Sequence, residues 1–150
     1  MKVVIIAVLL MLSAICSATE TAFSSCNRIR LKKLADDGNK SAKKAMNICD
    51  NFDKALTAIL VGNNVVNISS SSLATVLFTE KFGKGSVGLA TVVMTVLVLI
   101  FGEILPKSLA KENSERFSIL MAAAFSAFMF IITPITAIFI GIKSGVSKIL

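Results

Sequence analysis

The stretch "LVLIFGEILPKSLAKENSERF", residues 97 to 117, decides the fold. It opens on pure hydrocarbon, meets Gly102, Glu103 and Pro106 in quick succession, and turns strongly charged only from Lys107 onward. As a helix, the segment from Val87 to Leu105 is about 28 Å long, the thickness of a bilayer's hydrocarbon core. A carboxylate just inside the end of such a segment is costly unless it is paired, protonated or used. Pro106 cannot donate to the carbonyl four residues back, that of Gly102. The helix is therefore expected to kink, wind wide or end beside Glu103. That leaves a backbone carbonyl free next to a carboxylate, which is how oxygen-liganded cation sites are built in membranes. Lys107 is then read as a headgroup anchor.

The composition agrees. The 150 residues are 55% apolar and 17% charged, against about 25% charged in soluble domains, and the mean hydropathy is +0.80. Residues 3 to 19, 55 to 79, 85 to 102 and 117 to 142 contain no Asp, Glu, Lys or Arg. A soluble domain has no means of burying four such runs, so the chain reads as an all-α membrane protein. The net charge is +7, and eight of the basic residues fall between 28 and 54 against four acids. That clustering fits a cytoplasmic loop beside anionic lipid and does not call for nucleic acid. No His is present, so neither a Ser-His-Asp nor a Cys-His set can be assembled, and the chain is not read as an enzyme. The three cysteines, Cys16, Cys26 and Cys49, have neither disulfide-scaffold nor metal-ligand spacing. They are read as small neutral side chains.

The N-terminus resembles a signal peptide, but its cleavage signal is weak and the helical pattern continues beyond it. It is read as an uncleaved first transmembrane helix, about residues 3 to 26. Ser13, Ser17, Glu20 and Ser24 share one face of it, beside a stripe of Ala14, Ala18 and Ala22 that admits a close neighbour. The serines alone could be helix-to-helix glue. Glu20 either has a specific partner or lies near enough to the interface to hydrate. Residues 27 to 54 form a basic connector that suggests one or two short amphipathic helices, broken at "DDGN" and able to lie along the inner leaflet; the leading reading is a solvated loop with interfacial anchoring. The second span, about 56 to 78, carries Asn63, Asn67 and Ser71 on one face. Amides at that depth must find partners, either another helix or a polar cavity shared with the first span. A Gly-containing turn, 79 to 86, leads to the third span, about 87 to 105. The last apolar segment, about 117 to 142, has Arg116 before it and Lys143 and Lys148 after it. The positive-inside rule puts both its ends in the cytoplasm, as a belt-like juxtamembrane helix bent at Pro134. A fourth crossing is the alternative.

Three motifs, "SATETAFSSCNRIRLKKLA" at 17 to 35, "ILVGNNVVNISSSSLATVLF" at 59 to 78 and "FGEILPKSLAKENSERF" at 101 to 117, resemble the transmembrane domain of the CorC/cyclin M family of magnesium transport proteins. The resemblance covers essentially the whole chain, departing mildly at Ala18 and in the serine run 69 to 72. It implies three membrane helices with a juxtamembrane belt, a homodimer in the cell membrane, an extracellular N-terminus and a cytoplasmic C-terminus. Family members usually continue into a pair of ATP-binding CBS modules. Those lie outside this sequence, and ATP binding is not carried over.

The resemblance also implies an inward-opening cavity for a divalent cation. Its positions here are Ser17, Glu20, Ser24 and Ser25 on the first span, Asn63 and Asn67 on the second, and Glu103 with the Gly102 carbonyl on the third. Oxygen-only ligands suit magnesium, with sodium as a second cation, and do not suit zinc or copper. The leading expectation is magnesium export coupled to inward sodium movement. The alternative is a membrane-embedded magnesium sensor that regulates another transporter. The same polar contacts could also be purely structural.

Overall fold

The computed structural model describes the backbone of residues 1 to 149 and the side chains of residues 1 to 134. Among the described residues every regular element is helical. The first span is α1, Lys2–Ser25. The basic connector folds as two helices, α2 at Arg28–Asp36 and α3 at Lys40–Asp50. Asparagines begin both, because a side-chain amide oxygen satisfies N–H groups that the first helical turn leaves unpaired. Asn27 accepts from the N–H groups of Ile29 and Arg30, and Asn39 from those of Ser41 and Ala42. Between the two helices Gly38 takes a φ of +93°, which places the break at "DDGN". The amphipathic face of α3, carrying Ala42, Ala45, Ile48 and Cys49, is fully buried.

The second span is α4, Phe52–Phe82, ended by Gly83 at a φ of +83°. A short 3₁₀ turn, Lys84–Ser86, leads into α5, Val87–Leu97. The rod then winds wide from Val98 to Ile104 and tightens again as α6, Leu105–Glu112. In the wide turn the Leu105 N–H donates to the carbonyl of Ile100, five residues back. Of the three outcomes expected at Pro106, the chain takes the wide winding. It therefore continues as helix through the proline instead of stopping there.

Side-chain pairs fix the register of the three rods. α4 runs antiparallel to α1. Lys2 pairs with Glu80 at one end, Ser13 bonds Asn63 in the middle, and Phe23 shares an apolar cluster with Ala55 and Ile59 at the other end. The α5–α6 rod runs parallel to α1. Ile6 clusters with Met94, Ser13 abuts Gly102, and Glu20 pairs with Lys107. Ala18 and Ala22 on α1 meet Ala110 on α6, so the alanine stripe does bring a neighbour close.

The final helix, α7, spans Ser114–Ile149 with Pro134 inside it. The far part of the expected belt, 135 to 142, is described only as backbone, its side chains lying outside the described residues. By length and apolarity alone, Lys2–Ser25, Lys84–Glu112 and Ser114–Pro134 could each cross a membrane. Packing separates these roles. From Ser114 to Phe128, α7 advances about 21 Å. Its contacts on α1 nevertheless stay within residues 18 to 25. Ser114 donates to the Ser25 carbonyl, and Phe117 packs on Ala18 and Ala22. Phe125 stacks near Phe23, with ring centroids 5.8 Å apart, and Phe128 covers Gly62. A helix descending beside α1 would by Phe125 have moved about 16 Å along it, far past the Phe23 level where that ring is found. α7 instead lies across the connector end, against α3, as a bent juxtamembrane helix. Three spans cross, namely α1, α4 and the α5–α6 rod.

Two thiols meet at this connector end. Cys49 is buried and Cys26 half-buried, with their sulfurs 3.3 Å apart. The Cys49 thiol, assisted by Arg28, draws Cys26 down to about 7. The same contact, together with burial, pushes Cys49 up.

Candidate functional site

Ser13, Asn63 and Gly102 meet midway along α1, and further polar groups of α1 and α4 continue from this contact as a column. Ser13, fully buried, sits at its middle. Its hydroxyl donates to Asn63 Oδ1 over 2.9 Å and faces Gly102 in the wide turn, where a Cβ would come within 2.9 Å of that oxygen. Gly102 thus marks a close approach: an added Cβ would force the Ser13 hydroxyl or the third rod to shift. The neighbouring Glu103 is half-buried, and among the described residues no side chain pairs with its carboxylate.

Ser17 lies one turn from Ser13 toward the connector, and Asn67 one turn from Asn63 in the opposite direction, each displaced by about 6 Å. The column therefore separates them, although their spacing along the chain suggests a single cluster. They carry the two buried side-chain oxygens of the described residues that lack a partner, Ser17 Oγ and Asn67 Oδ1. The contrast with the neighbouring hydroxyls is informative. Thr19, Ser69, Ser70, Thr75 and Thr95 each donate to a carbonyl of their own helix. In the absence of water this is how a helical hydroxyl is satisfied without a second helix. Ser17 is fully buried and has no such bond. An unsatisfied polar atom at this depth costs about 1–3 kcal/mol.

Glu20 stands nearer the connector. Its carboxylate accepts an ion pair from Lys107 Nζ at 3.3 Å, with the Glu20 side chain 25% exposed. Lys107, expected as a headgroup anchor, pairs with the Glu20 carboxylate of α1. Ser24 and Ser25 stand outside the column. Both are exposed; the Ser24 hydroxyl donates to Thr21 and the Ser25 carbonyl accepts from Ser114. Sequence reasoning placed Ser13 on the polar face without giving it a role, although its four-residue spacing from Ser17 was a usable signal. The pairing of Lys107 with Glu20 could not have been read without the register between rods.

Among the described residues no three acidic, His or Cys side chains converge on one point. The column instead offers dispersed oxygen ligands, one carboxylate held by lysine, two amides and two serine hydroxyls, with the unpaired Glu103 carboxylate next in sequence to Gly102. Such a set can take up a hard cation that keeps part of its hydration shell.

The cyclin M transmembrane N-terminal domain matches residues 4 to 150. A UPF0053 protein of Haemophilus influenzae is 38% identical over 132 residues, covering 88% of this chain and 31% of that protein. The inner membrane protein YfjD of Escherichia coli, also of the UPF0053 group, is 39% identical over 105 residues, 70% of this chain and 24% of its own length. A chloroplastic DUF21 domain-containing protein of Arabidopsis thaliana is 34% identical over 146 residues, 97% of this chain and 22% of that protein. The chain thus spans less than a third of the length of these relatives. Three spans, a bent juxtamembrane helix and a match over nearly the full sequence place this multi-pass membrane chain in the cyclin M transmembrane domain family, whose members are associated with divalent-cation transport and are not enzymes.

Proposed function

We propose that this chain carries magnesium out across the cell membrane in exchange for inward sodium movement, as a homodimer with its N-terminus outside and its C-terminus in the cytoplasm. The observation that supports this reading is the pair of unpartnered buried oxygens, Ser17 Oγ and Asn67 Oδ1, on either side of the Ser13–Asn63 contact that Gly102, the residue before Glu103, abuts. Magnesium binds through one or two carboxylates and retains several waters. Glu103 supplies the first carboxylate. The amide oxygens of Asn63 and Asn67, the Ser17 hydroxyl and the Gly102 carbonyl replace or orient the remaining water. Glu20 supplies the second carboxylate once it leaves Lys107, whose ammonium group holds its place when no cation is near. A partly hydrated cation moves along such a column from the connector end in steps of about one helical turn. The cytoplasmic orientation of that end rests on its basic residues.

Magnesium flux from loaded proteoliposomes, measured beside magnesium-dependent melting of the same preparation, tests the reading. Glu103→Gln keeps size and hydrogen bonding but removes the charge. It is expected to lower flux at least about tenfold, a barrier change of about 1.4 kcal/mol, and to abolish the melting shift while the protein stays folded. Asn67→Ala should weaken both less severely. Wild-type flux in Glu103→Gln would remove Glu103 from the ion path. A magnesium-dependent melting shift without flux in the unmodified protein would establish the sensor alternative.

A further inference from the structure

The two thiols at the connector end take no part in the polar column, yet they are built as a pair. Cys26 follows the last residue of α1, and Cys49 lies in α3. Their sulfur atoms are 3.3 Å apart across 23 residues of sequence. Both thiols are directed at the Phe23 carbonyl, Cys26 at 3.3 Å and Cys49 at 4.0 Å. Arg28 Nη2 donates to the Cys49 carbonyl at 3.0 Å, which fixes the backbone of α3 against the end of α1. Cys49 is 1% exposed whereas Cys26 is half-buried, so an oxidant can reach one partner and not the other. The third thiol, Cys16, packs against the same apolar cluster with no thiol beside it among the described residues.

We propose that Cys26 and Cys49 are a peroxide-sensitive modification site, whose reversible disulfide fastens α3 to the base of α1. The chemistry requires one peroxide per pair. Cys26 Sγ attacks a peroxide oxygen; the S–O bond forms, the O–O bond breaks, and the departing hydroxide leaves as water with the thiol proton. Cys49 Sγ then attacks the resulting sulfenic acid at sulfur. The S–S bond forms, the S–O bond breaks, and a second water carries away the Cys49 proton. Two thiols are oxidised and one peroxide is reduced to two waters. Closing from 3.3 Å to the bond length of about 2.05 Å brings the two sulfurs about 1.2 Å closer. A dithiol reductant reverses the bond by exchange. Once formed, the bond prevents α3 from lifting off α1, and with α3 the face of α7 that packs on it.

The test uses the unmodified 150-residue protein in detergent. It is treated with hydrogen peroxide, quenched with iodoacetamide and cleaved with trypsin, which cuts at the connector lysines between the two cysteines. The expected result is one Cys26–Cys49 linked peptide pair, lighter than the two free peptides by two hydrogens and separated by dithiothreitol, with Cys16 alkylated throughout. In Cys49→Ser, oxidation should stop at a Cys26 sulfenic acid that dimedone traps. In Cys26→Ser, oxidation of Cys49 should slow at least tenfold. Both thiols recovered alkylated after peroxide treatment, or Cys26 linked only to Cys26 of a second copy, would overturn the proposal.

Discussion

Gly102→Ala tests the packing on which the column depends, and its size can be worked from the contacts. An added Cβ would lie 3.5 Å from Ser13 Cβ and 3.6 Å from Val98 Cγ1, both ordinary contacts, but 2.9 Å from Ser13 Oγ. The conflict is therefore with one oxygen. That oxygen can move aside only by giving up its 2.9 Å bond to Asn63 in a fully buried position. Losing the bond and leaving the amide oxygen dry costs about 1–3 kcal/mol. Alanine is favoured over glycine in a helix by about 1 kcal/mol, which offsets part of this. A net destabilisation of about 1 kcal/mol is expected. Ser13→Ala removes the same bond but also the obstructing oxygen, so the double variant should be no less stable than Ser13→Ala alone. The two substitutions should then be coupled by about 1–2 kcal/mol. Unfolding of the four proteins in mixed detergent micelles measures this directly. Additivity within about 0.5 kcal/mol, or a Gly102→Ala protein more stable than the parent, would show that the third rod does not press on Ser13 and would refute the reasoning.

Lys107→Met removes the cation that holds Glu20, and is expected to raise the apparent magnesium affinity several-fold in melting assays because the carboxylate is freed for cargo; unchanged affinity would return Lys107 to an anchoring role. Gly62→Ala would bring a Cβ within 2.7 Å of Phe128 Cζ, so α7 should loosen, with a loss of about 1–2 kcal/mol that Phe128→Leu restores; indifference to both changes would mean that α7 is not docked on α4. Cysteine probes at Lys40 and Lys143, in a background free of native cysteines, should both be labelled from the cytoplasm and a probe at Lys84 from outside; labelling of 40 and 143 from opposite sides would make α7 a crossing helix.

Much of this protein is written in one dimension. Uncharged runs of bilayer length, the break at "DDGN" and the asparagine caps of α2 and α3 depend on neighbours within a few residues. Desolvation and local hydrogen bonding therefore determine them without reference to the rest of the chain. The disturbance at Pro106 is local in the same way, because a missing N–H affects a carbonyl only four residues back. The membership of the polar faces was legible too, since helical spacing alone puts Ser13, Ser17 and Glu20 together on α1.

What the sequence left open depends on register and direction between helices. Hydropathy cannot distinguish α7 from a crossing segment, because a belt beside lipid and a span through it require the same hydrocarbon. Phe117 and Phe125, eight residues apart on α7, both meet α1 between Ala18 and Phe23, and that decides it. The antiparallel run of α4 sets Ser17 and Asn67 on opposite sides of Ser13, turning an apparent cluster into a column. The parallel run of α5–α6 brings Lys107 to Glu20 and Gly102 to Ser13, and the return of the connector brings Cys49 to Cys26. Each of these pairs joins residues remote in sequence. Their interaction energy depends on separations of a few ångströms that only the packing of whole helices fixes.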